Sequence, residues 1–311
     1  DFSIFSKFTF RISKKLQAFL DFQARFVNYK TVGLTSSRTP IDVDTDFNFF
    51  NPKIGFTYSL NNNNSIYASF ARANREPNRN DFESNATDLT HEELNDFELG
   101  WRYTGERFRL NANGYYMQYN NQLVLTGVLD DVGEYLRENV DKSYRLGLEL
   151  DAMIFLSDQF SLNSNLALSR NKIQNLTIDR DGSLQNLGDT NIAFSPDLIT
   201  THVLEYSPNS KFRAALIGKY VGEQYMSNTD TEASKLDSYF VMDLNFSYTV
   251  PFETIFKSIV FTGMVNNLLD LEYVDRGYTY LDTWSGPTVS EVQGYYPQAT
   301  RNFLAGVTLT F

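Results

Sequence analysis

The sequence predicts an all-β fold, a transmembrane antiparallel β-barrel. Three observations predict it. Apolar residues recur at every second position through long stretches. The connections between those stretches alternate short and long. Rings abound in an otherwise polar chain, with 26 Phe, 19 Tyr and 2 Trp among 311 residues, of which 21% are charged.

Thirteen strands are expected, near 2–12, 15–30, 52–60, 64–73, 94–104, 107–119, 138–155, 159–172, 198–207, 210–222, 237–250, 257–268 and 301–311. Successive side chains on a strand point to opposite faces. In the second stretch Leu16, Ala18, Leu20, Phe22, Ala24 and Phe26 oppose Gln17, Phe19, Asp21, Gln23 and Arg25. In the seventh, Tyr144, Leu146, Leu148, Leu150 and Ala152 oppose Arg145, Gly147, Glu149 and Asp151. Phe160, Leu162, Leu166 and Leu168 mark the eighth. In the eleventh, Phe240, Met242, Leu244, Phe246, Tyr248 and Val250 face away from Val241, Asp243, Asn245, Ser247 and Thr249. The last carries Phe303, Ala305, Val307, Leu309 and Phe311 on one face. None of these runs has the 3.6-residue period of a helix.

Six connections are short, around Ser13-Lys14, Asn61–Asn64, Gly105-Glu106, Ser157-Asp158, Pro208-Asn209 and Pro251–Phe256. Six are long, near 31–51, 74–93, 120–137, 173–197, 223–236 and 269–300, and the two kinds strictly alternate. Outer-membrane barrels have short periplasmic turns and long extracellular loops. A soluble sandwich has no reason to sort its loops by parity, and its strands are shorter, about 5–6 residues. Rings near strand ends (Tyr103, Phe108, Tyr206, Phe212, Tyr220 and Tyr248) fit interfacial girdles. Thirteen is odd, whereas bacterial single-chain barrels have even strand numbers. The chain also opens inside a strand pattern, at Asp1-Phe2-Ser3-Ile4. Residues 1–311 are therefore expected to be the C-terminal portion of a larger barrel, one of 22 strands with a plug.

Composition narrows the chemistry. The absence of cysteine excludes disulfides, thiolate zinc sites and a cysteine nucleophile. Only His91 and His202 are available for histidine catalysis, and His202 falls on the lipid-facing side with Leu204 and Tyr206. A net charge of −11 opposes a nucleic-acid partner. No apolar run is long enough for a transmembrane helix, and no leader-like segment opens the chain. Asp179-Arg180-Asp181-Gly182 resembles the start of a calcium loop but lacks the distal ligands, so a solvated turn is expected. Asn85-Ala86-Thr87 and Asn175-Leu176-Thr177 match a glycosylation pattern that is uninformative in a bacterial outer membrane. No catalytic constellation, metal cluster or cofactor-binding motif emerges.

Four segments carry a family resemblance. Asn51–Tyr58 followed by Ser65–Phe70 is similar to paired mid-barrel strands. Arg72 through Arg75-Glu76-Pro77 looks like the opening of the loop that follows. Leu89-Thr90-His91-Glu92, then Phe97-Glu98-Leu99-Gly100, is similar to an L-x-P-E … E-x-G stretch, with His91 in the proline position. Val265-Asn266-Asn267-Leu268-Leu269-Asp270-Leu271-Glu272-Tyr273 looks like an N-N-L-F-D-x-x-Y signature. In this order the segments resemble the C-terminal barrel of TonB-dependent outer-membrane receptors. The Arg-Glu-Pro-Asn-Arg wording looks most like receptors of Bacteroidota.

The resemblance implies a bacterial outer-membrane receptor, not an enzyme, that takes up a scarce ligand, most often a ferric siderophore or other iron chelate. It implies an N-terminal plug, a TonB coupling partner, surrounding outer-membrane lipid and the barrel-assembly machinery, for which Phe311 resembles the terminal aromatic signal. Inward charges, among them Arg102, Arg109, Arg145, Glu149, Asp151, Arg213 and Asp243, are expected to face the lumen and a plug. Loop residues Arg75, Arg79, Arg137, Tyr273, Arg276, Tyr280 and Trp284 are candidates for ligand contact, because rings stack on flat ligands and arginine pairs with anions. Haem-uptake members use a loop histidine near His91, but the haem-type N-P-N-L box is missing. Glycan, peptide or cobalamin ligands, a passive porin, and an assembly subunit are the alternatives.

Overall fold

The computed structural model describes the chain except residues 36–37, 39, 85–88, 130–134, 181–182, 253–254, 256 and 283–289. The strands are β1 (Phe2–Arg11), β2 (Leu16–Leu34), β3 (Pro40–Ser59), β4 (Asn64–Arg75), β5 (Glu92–Thr104), β6 (Phe108–Leu129), β7 (Tyr135–Phe155), β8 (Phe160–Arg180) and β9 (Ser183–Asn191). They continue as β10 (Leu198–Asn209), β11 (Phe212–Val221), β12 (Gln224–Tyr225), β13 (Lys235–Leu236), β14 (Tyr239–Pro251), β15 (Ser258–Asn266), β16 (Val274–Asp282), β17 (Ser290–Pro297) and β18 (Asn302–Thr310). A short α-helix, α1 (Arg79–Ser84), lies between β4 and β5, and a 3-10 turn spans Glu232–Ser234.

Thirteen of these form one continuous antiparallel meander, β1-β2-β3-β4-β5-β6-β7-β8-β10-β11-β14-β15-β18. Each matches one of the thirteen expected strands. Two neighbouring cross-strand rows display the two-faced wall. One runs Ile66, Trp101, Ala112, Leu150, Leu166, Thr200, Tyr220 and Phe240. The next runs Ser65, Arg102, Asn111, Asp151, Asn165, Thr201 and Lys219. The first row belongs to a face of exposed apolar side chains that includes Phe97, Leu99, Leu148, Leu168, Phe246 and Phe261. Such a face is a liability in water and is satisfied in a bilayer.

Rings collect where the strands meet the short turns. Phe160 stacks on Tyr206 at 4.5 Å, Tyr206 meets Phe212 at 6.2 Å, and Tyr103 meets Phe108 at 5.8 Å. His202 lies on this outer face, as expected. Its Nδ1 is 2.9 Å from Ser164 Oγ and its Nε2 is 3.1 Å from Thr200 Oγ1. Thr200 donates to the Asn165 carbonyl. Thr200 Oγ1 therefore accepts from His202 Nε2–H, and Nδ1 shares a hydrogen bond with Ser164 Oγ. Both ring nitrogens are thus engaged on the outer face.

The long connections need correction. The segment 31–51 is mostly strand, because β2 and β3 run on together and leave only 35–39 between them. In the same way β6 and β7 extend to leave 130–134. The segment 173–197 holds the end of β8 and all of β9, 223–236 holds β12 and β13, and 269–300 holds β16 and β17. The physical reason is a change of solvent along one strand. In β3, Phe50, Ile54, Phe56 and Tyr58 point outward and are exposed. Beyond Phe50 the apolar phase inverts. Ile41, Phe47 and Phe49 are buried on the inner face, while Asp44 and Asp46 pair outward with Lys30 and Asn28. Pro52, which has no N–H to give, sits one residue beyond the β3–β4 ladder, which begins at Lys53↔Ala71.

Candidate functional site

All the long connections lie at one end, and two small cores form there. One holds Val27, Ile41, Phe47, Phe49 and Phe82. Phe82 comes from α1 and stacks on Tyr29 at 4.9 Å. Since Val27 and Tyr29 point inward, α1 packs on the inner side of the wall. Asn78 and Asp81 cap its start reciprocally: Asp81 Oδ2 accepts from the Asn78 N–H at 2.8 Å, and Asn78 Oδ1 accepts from the Asp81 N–H at 3.1 Å. Asp81 is 1% exposed and also takes a 3.1 Å hydrogen bond from Arg137. The second core joins Val124 and Val140 to Ile173, Leu176, Ile178 and Ile192.

The last long connection crosses the mouth. β16 and β17 form a hairpin, and Leu281 of β16 pairs in parallel with Val128 of β6. In the sheet β6 is separated from β15 by β7, β8, β10, β11 and β14. Segment 226–234 is the wedge between them. Asn228 donates to the Leu125 carbonyl at 2.9 Å and accepts from Ala193 N–H at 2.8 Å. Asp230 accepts from the Asn191 backbone at 2.7 Å and from its side chain at 3.0 Å. Glu291 Oε1 accepts from Thr231 at 2.9 Å and from Thr279 at 3.0 Å, which ties hairpin to wedge.

The N-N-L-L-D segment is a knot at the root of that connection. Asn267 is buried with φ 51°, a left-handed conformation that asparagine tolerates. Its N–H donates to Asp243 Oδ1 at 2.8 Å. Its side chain donates to the carbonyls of Leu271 and Ala299 and accepts from Leu271 N–H at 2.9 Å. Asp270 then accepts from Arg301 N–H at 2.9 Å. Both ends of the connection are thus fastened at one point.

The loop candidates fall in two groups. Around α1, Arg75 pairs with Glu92 at 2.7 Å, Arg137 with Asp81, and Arg79 is on the exposed helix surface. On and beside the hairpin, Tyr273 packs tilted against Tyr239 at 4.6 Å and Tyr280 stacks beside Tyr278 at 6.4 Å. Arg276 is 67% exposed, with Asp275 at 3.6 Å. Trp284, Asn85-Ala86-Thr87 and the Asp181-Gly182 end of the calcium-like turn lie outside the described residues. His91 is packed against Phe49 at 5.3 Å and Phe47 at 6.3 Å, a ring-lined setting. Glu76 of the Arg-Glu-Pro segment takes two hydrogen bonds from Arg25, at 2.6 and 2.8 Å, and so pins that loop to the inner wall.

The inward charges are spread over the wall. Arg102 lies 4.2 Å over the Tyr67 ring, whose hydroxyl donates to Asn113 at 3.0 Å. Gly100 is the platform beneath Tyr67, since a Cβ there would collide with the ring. Arg109 is 5.7 Å from the Phe155 ring. Arg145 donates to Ser195 at 2.9 Å and to Asn171 at 3.3 Å. Arg213 pairs with Glu205. Glu149 and Asp151 share this face, opposite Asn113 and Asn111. Phe311 follows β18 and is exposed. Burial raises the Glu138 carboxyl above its ordinary range, out on the β7 extension. No group of three or more acidic or histidine side chains suited to a metal occurs among the described residues.

Comparisons place this architecture. A family model described as the β-barrel of TonB-dependent receptor-like proteins matches residues 1–268. The catecholate siderophore receptor Fiu of Escherichia coli K12 is 22% identical over 260 residues, covering 78% of this chain and 32% of that protein. The closed-form crystal structure of that ferric-catecholate import receptor superposes with a TM-score of 0.70 at 20% identity, over 99% of this chain and 44% of that one. The copper transporter OprC gives 0.77 at 17% identity, over 98% and 46%. The siderophore receptor PiuA of Acinetobacter baumannii gives 0.75 at 18%, over 98% and 42%. The chain spans less than half the length of each of these relatives. It belongs to the family of TonB-dependent receptor β-barrels, proteins of the Gram-negative outer membrane.

Proposed function

We propose that the chain is the C-terminal part of the barrel of a TonB-dependent transporter that takes up a ferric siderophore or similar iron chelate. The observation that carries this reading is the folded cap at the loop end, where α1 and the β16–β17 hairpin lean over a polar lumen. An open porin has no use for so much folded structure across its mouth. Among the described residues β1 and β18 each pair on one side only. Lipid does not tolerate an unpaired strand edge, which supports further strands that complete a barrel of 22.

In this reading Arg276, Tyr280 and Tyr273 meet the ligand from the hairpin and its root, and Arg79 meets it from α1. Arg75 and Arg137 hold the loops that frame it. TonB engages the N-terminal part and draws on the inner-membrane proton gradient. The test is uptake of 55Fe-labelled tris-catecholate and hydroxamate chelates by cells that depend on the full-length protein. Uptake of one chelate class, abolished by a proton uncoupler and weakened in Arg276→Ala, is expected. Uncoupler-resistant passage of small solutes would turn the reading to a porin. Fixed co-purification with a protein partner and no uptake would turn it to an assembly subunit.

A further inference from the structure

We propose that the junction of the hairpin, the wedge and the β6 tip is a binding site for a single aryl group. A cavity of about 100 Å³ lies there, lined by Leu125, Gly127, Phe194, Met226, Gly277 and Tyr278. Ser227 and Thr279 also reach it, but their hydroxyls are engaged elsewhere, with Thr229 at 2.8 Å and Glu291 at 3.0 Å. The lining is therefore mainly carbon and sulfur, with the Tyr278 phenol beside it. Apolar cavities of this kind stay dry and accept small apolar rings. Met226, 3% exposed, presents a thioether that favours an aromatic ring edge.

Phe194 is the second, independent observation. It has φ 52°, a left-handed conformation that a bulky side chain rarely adopts. Its N–H donates to the Tyr225 carbonyl at 2.8 Å, which fixes the backbone there. The ring nevertheless stands 43% exposed at the cavity. Strained residues of this kind gather at ligand clamps. Tyr278, 40% exposed, faces the cavity from the hairpin and stands 6.0 Å from Tyr296. Gly277 lets the hairpin close on the wedge, because a Cβ there would strike Met226 and Gly294.

The site deepens the receptor reading, on which it rests for access from outside the cell: the ligand would carry an aryl arm. The test uses the purified full-length receptor and 19F relaxation of 4-fluorobenzoate, with trifluoroacetate as the non-aryl control. Selective broadening of 4-fluorobenzoate is expected. Leu125→Trp, which fills the cavity, should abolish it. Phe194→Gly suits the positive φ, keeps the fold and its melting point, and should weaken binding about tenfold. No broadening, or broadening unchanged in Phe194→Gly, would overturn the site. Iron uptake without aryl binding would overturn the site and leave the receptor standing. Aryl binding without uptake of any ferric chelate would retain the site and remove the iron reading.

Discussion

Phe82→Ala should release α1 from the inner wall and leave the membrane-embedded barrel intact. The Phe82 side chain is 4% exposed, between Tyr29 and the inward faces of β2 and β3. A buried ring removes at least about 150 Å² from water, worth about 4 kcal/mol at about 25 cal/mol per Å². The alanine keeps part of this and the pocket relaxes, so about 3 kcal/mol is lost, at the low end for Phe→Ala. That loss raises the open population of the 76–84 segment about 100-fold, at about 1.4 kcal/mol per decade. Hydrogen exchange by mass spectrometry reads this directly. Amides of 76–84 should exchange about 100-fold faster, while those in 95–103 hold. Unchanged protection of 76–84 would mean that the inner core does not hold the helix. Loss of protection throughout the barrel would mean that the inverted face and the lipid face are one cooperative unit, contrary to the two-solvent argument.

Leu244→Arg on the outer face should cost about 2–4 kcal/mol near the bilayer midplane. Asn163→Arg, on the lumen face of β8 two residues before Asn165, should cost under about 1 kcal/mol, because the side chain stays in water. Urea titration of the refolded barrel in lipid separates the two. Asn267→Ala removes three side-chain hydrogen bonds at a left-handed residue. The loss is about 2–4 kcal/mol, at about 1 kcal/mol per bond plus backbone strain. It should expose the 269–300 connection to protease, and Asn267→Gly should be milder. For Glu138, the folded pKa is raised by burial, so its contribution is full below the unfolded value and fades as pH climbs through the raised one. Amide protection of the β6–β7 extension, corrected for intrinsic exchange, should fall over that window, and Glu138→Gln should flatten the profile.

The thirteen wall strands were legible because lipid imposes one unbroken rule on their outer face. Above Phe50 the rule still has period two, in Ile41, Val43, Thr45, Phe47 and Phe49 against Asp42, Asp44, Asp46 and Asn48. Its phase is opposite, so a reading that followed a single phase took the segment for a loop. The wedge had no such signal. Asn228 and the carbonyl it holds are 103 residues apart. Arg137 read as a candidate for ligand contact because its partner Asp81 lies 56 residues away. Nothing local marks Phe194 as left-handed. Asn267 was found through its motif, and the structure supplies the reason: one buried amide closes both ends of the last connection.

The inversion of the apolar face in β2 and β3 also bears on how faithfully the sheet is assembled. A one-residue slip between strands swaps faces and is rejected anywhere in such a wall. A two-residue slip preserves the faces, and a uniform alternation would not notice it. Here it would drag Asn48 or Asp46 toward the hydrocarbon layer while lifting an outward ring into water. Each hairpin that carries the inversion is therefore locked in height as well as in side, like a key with a shoulder. The strand records its own depth, and assembly errors that parity alone would pass are penalised before the cap has folded.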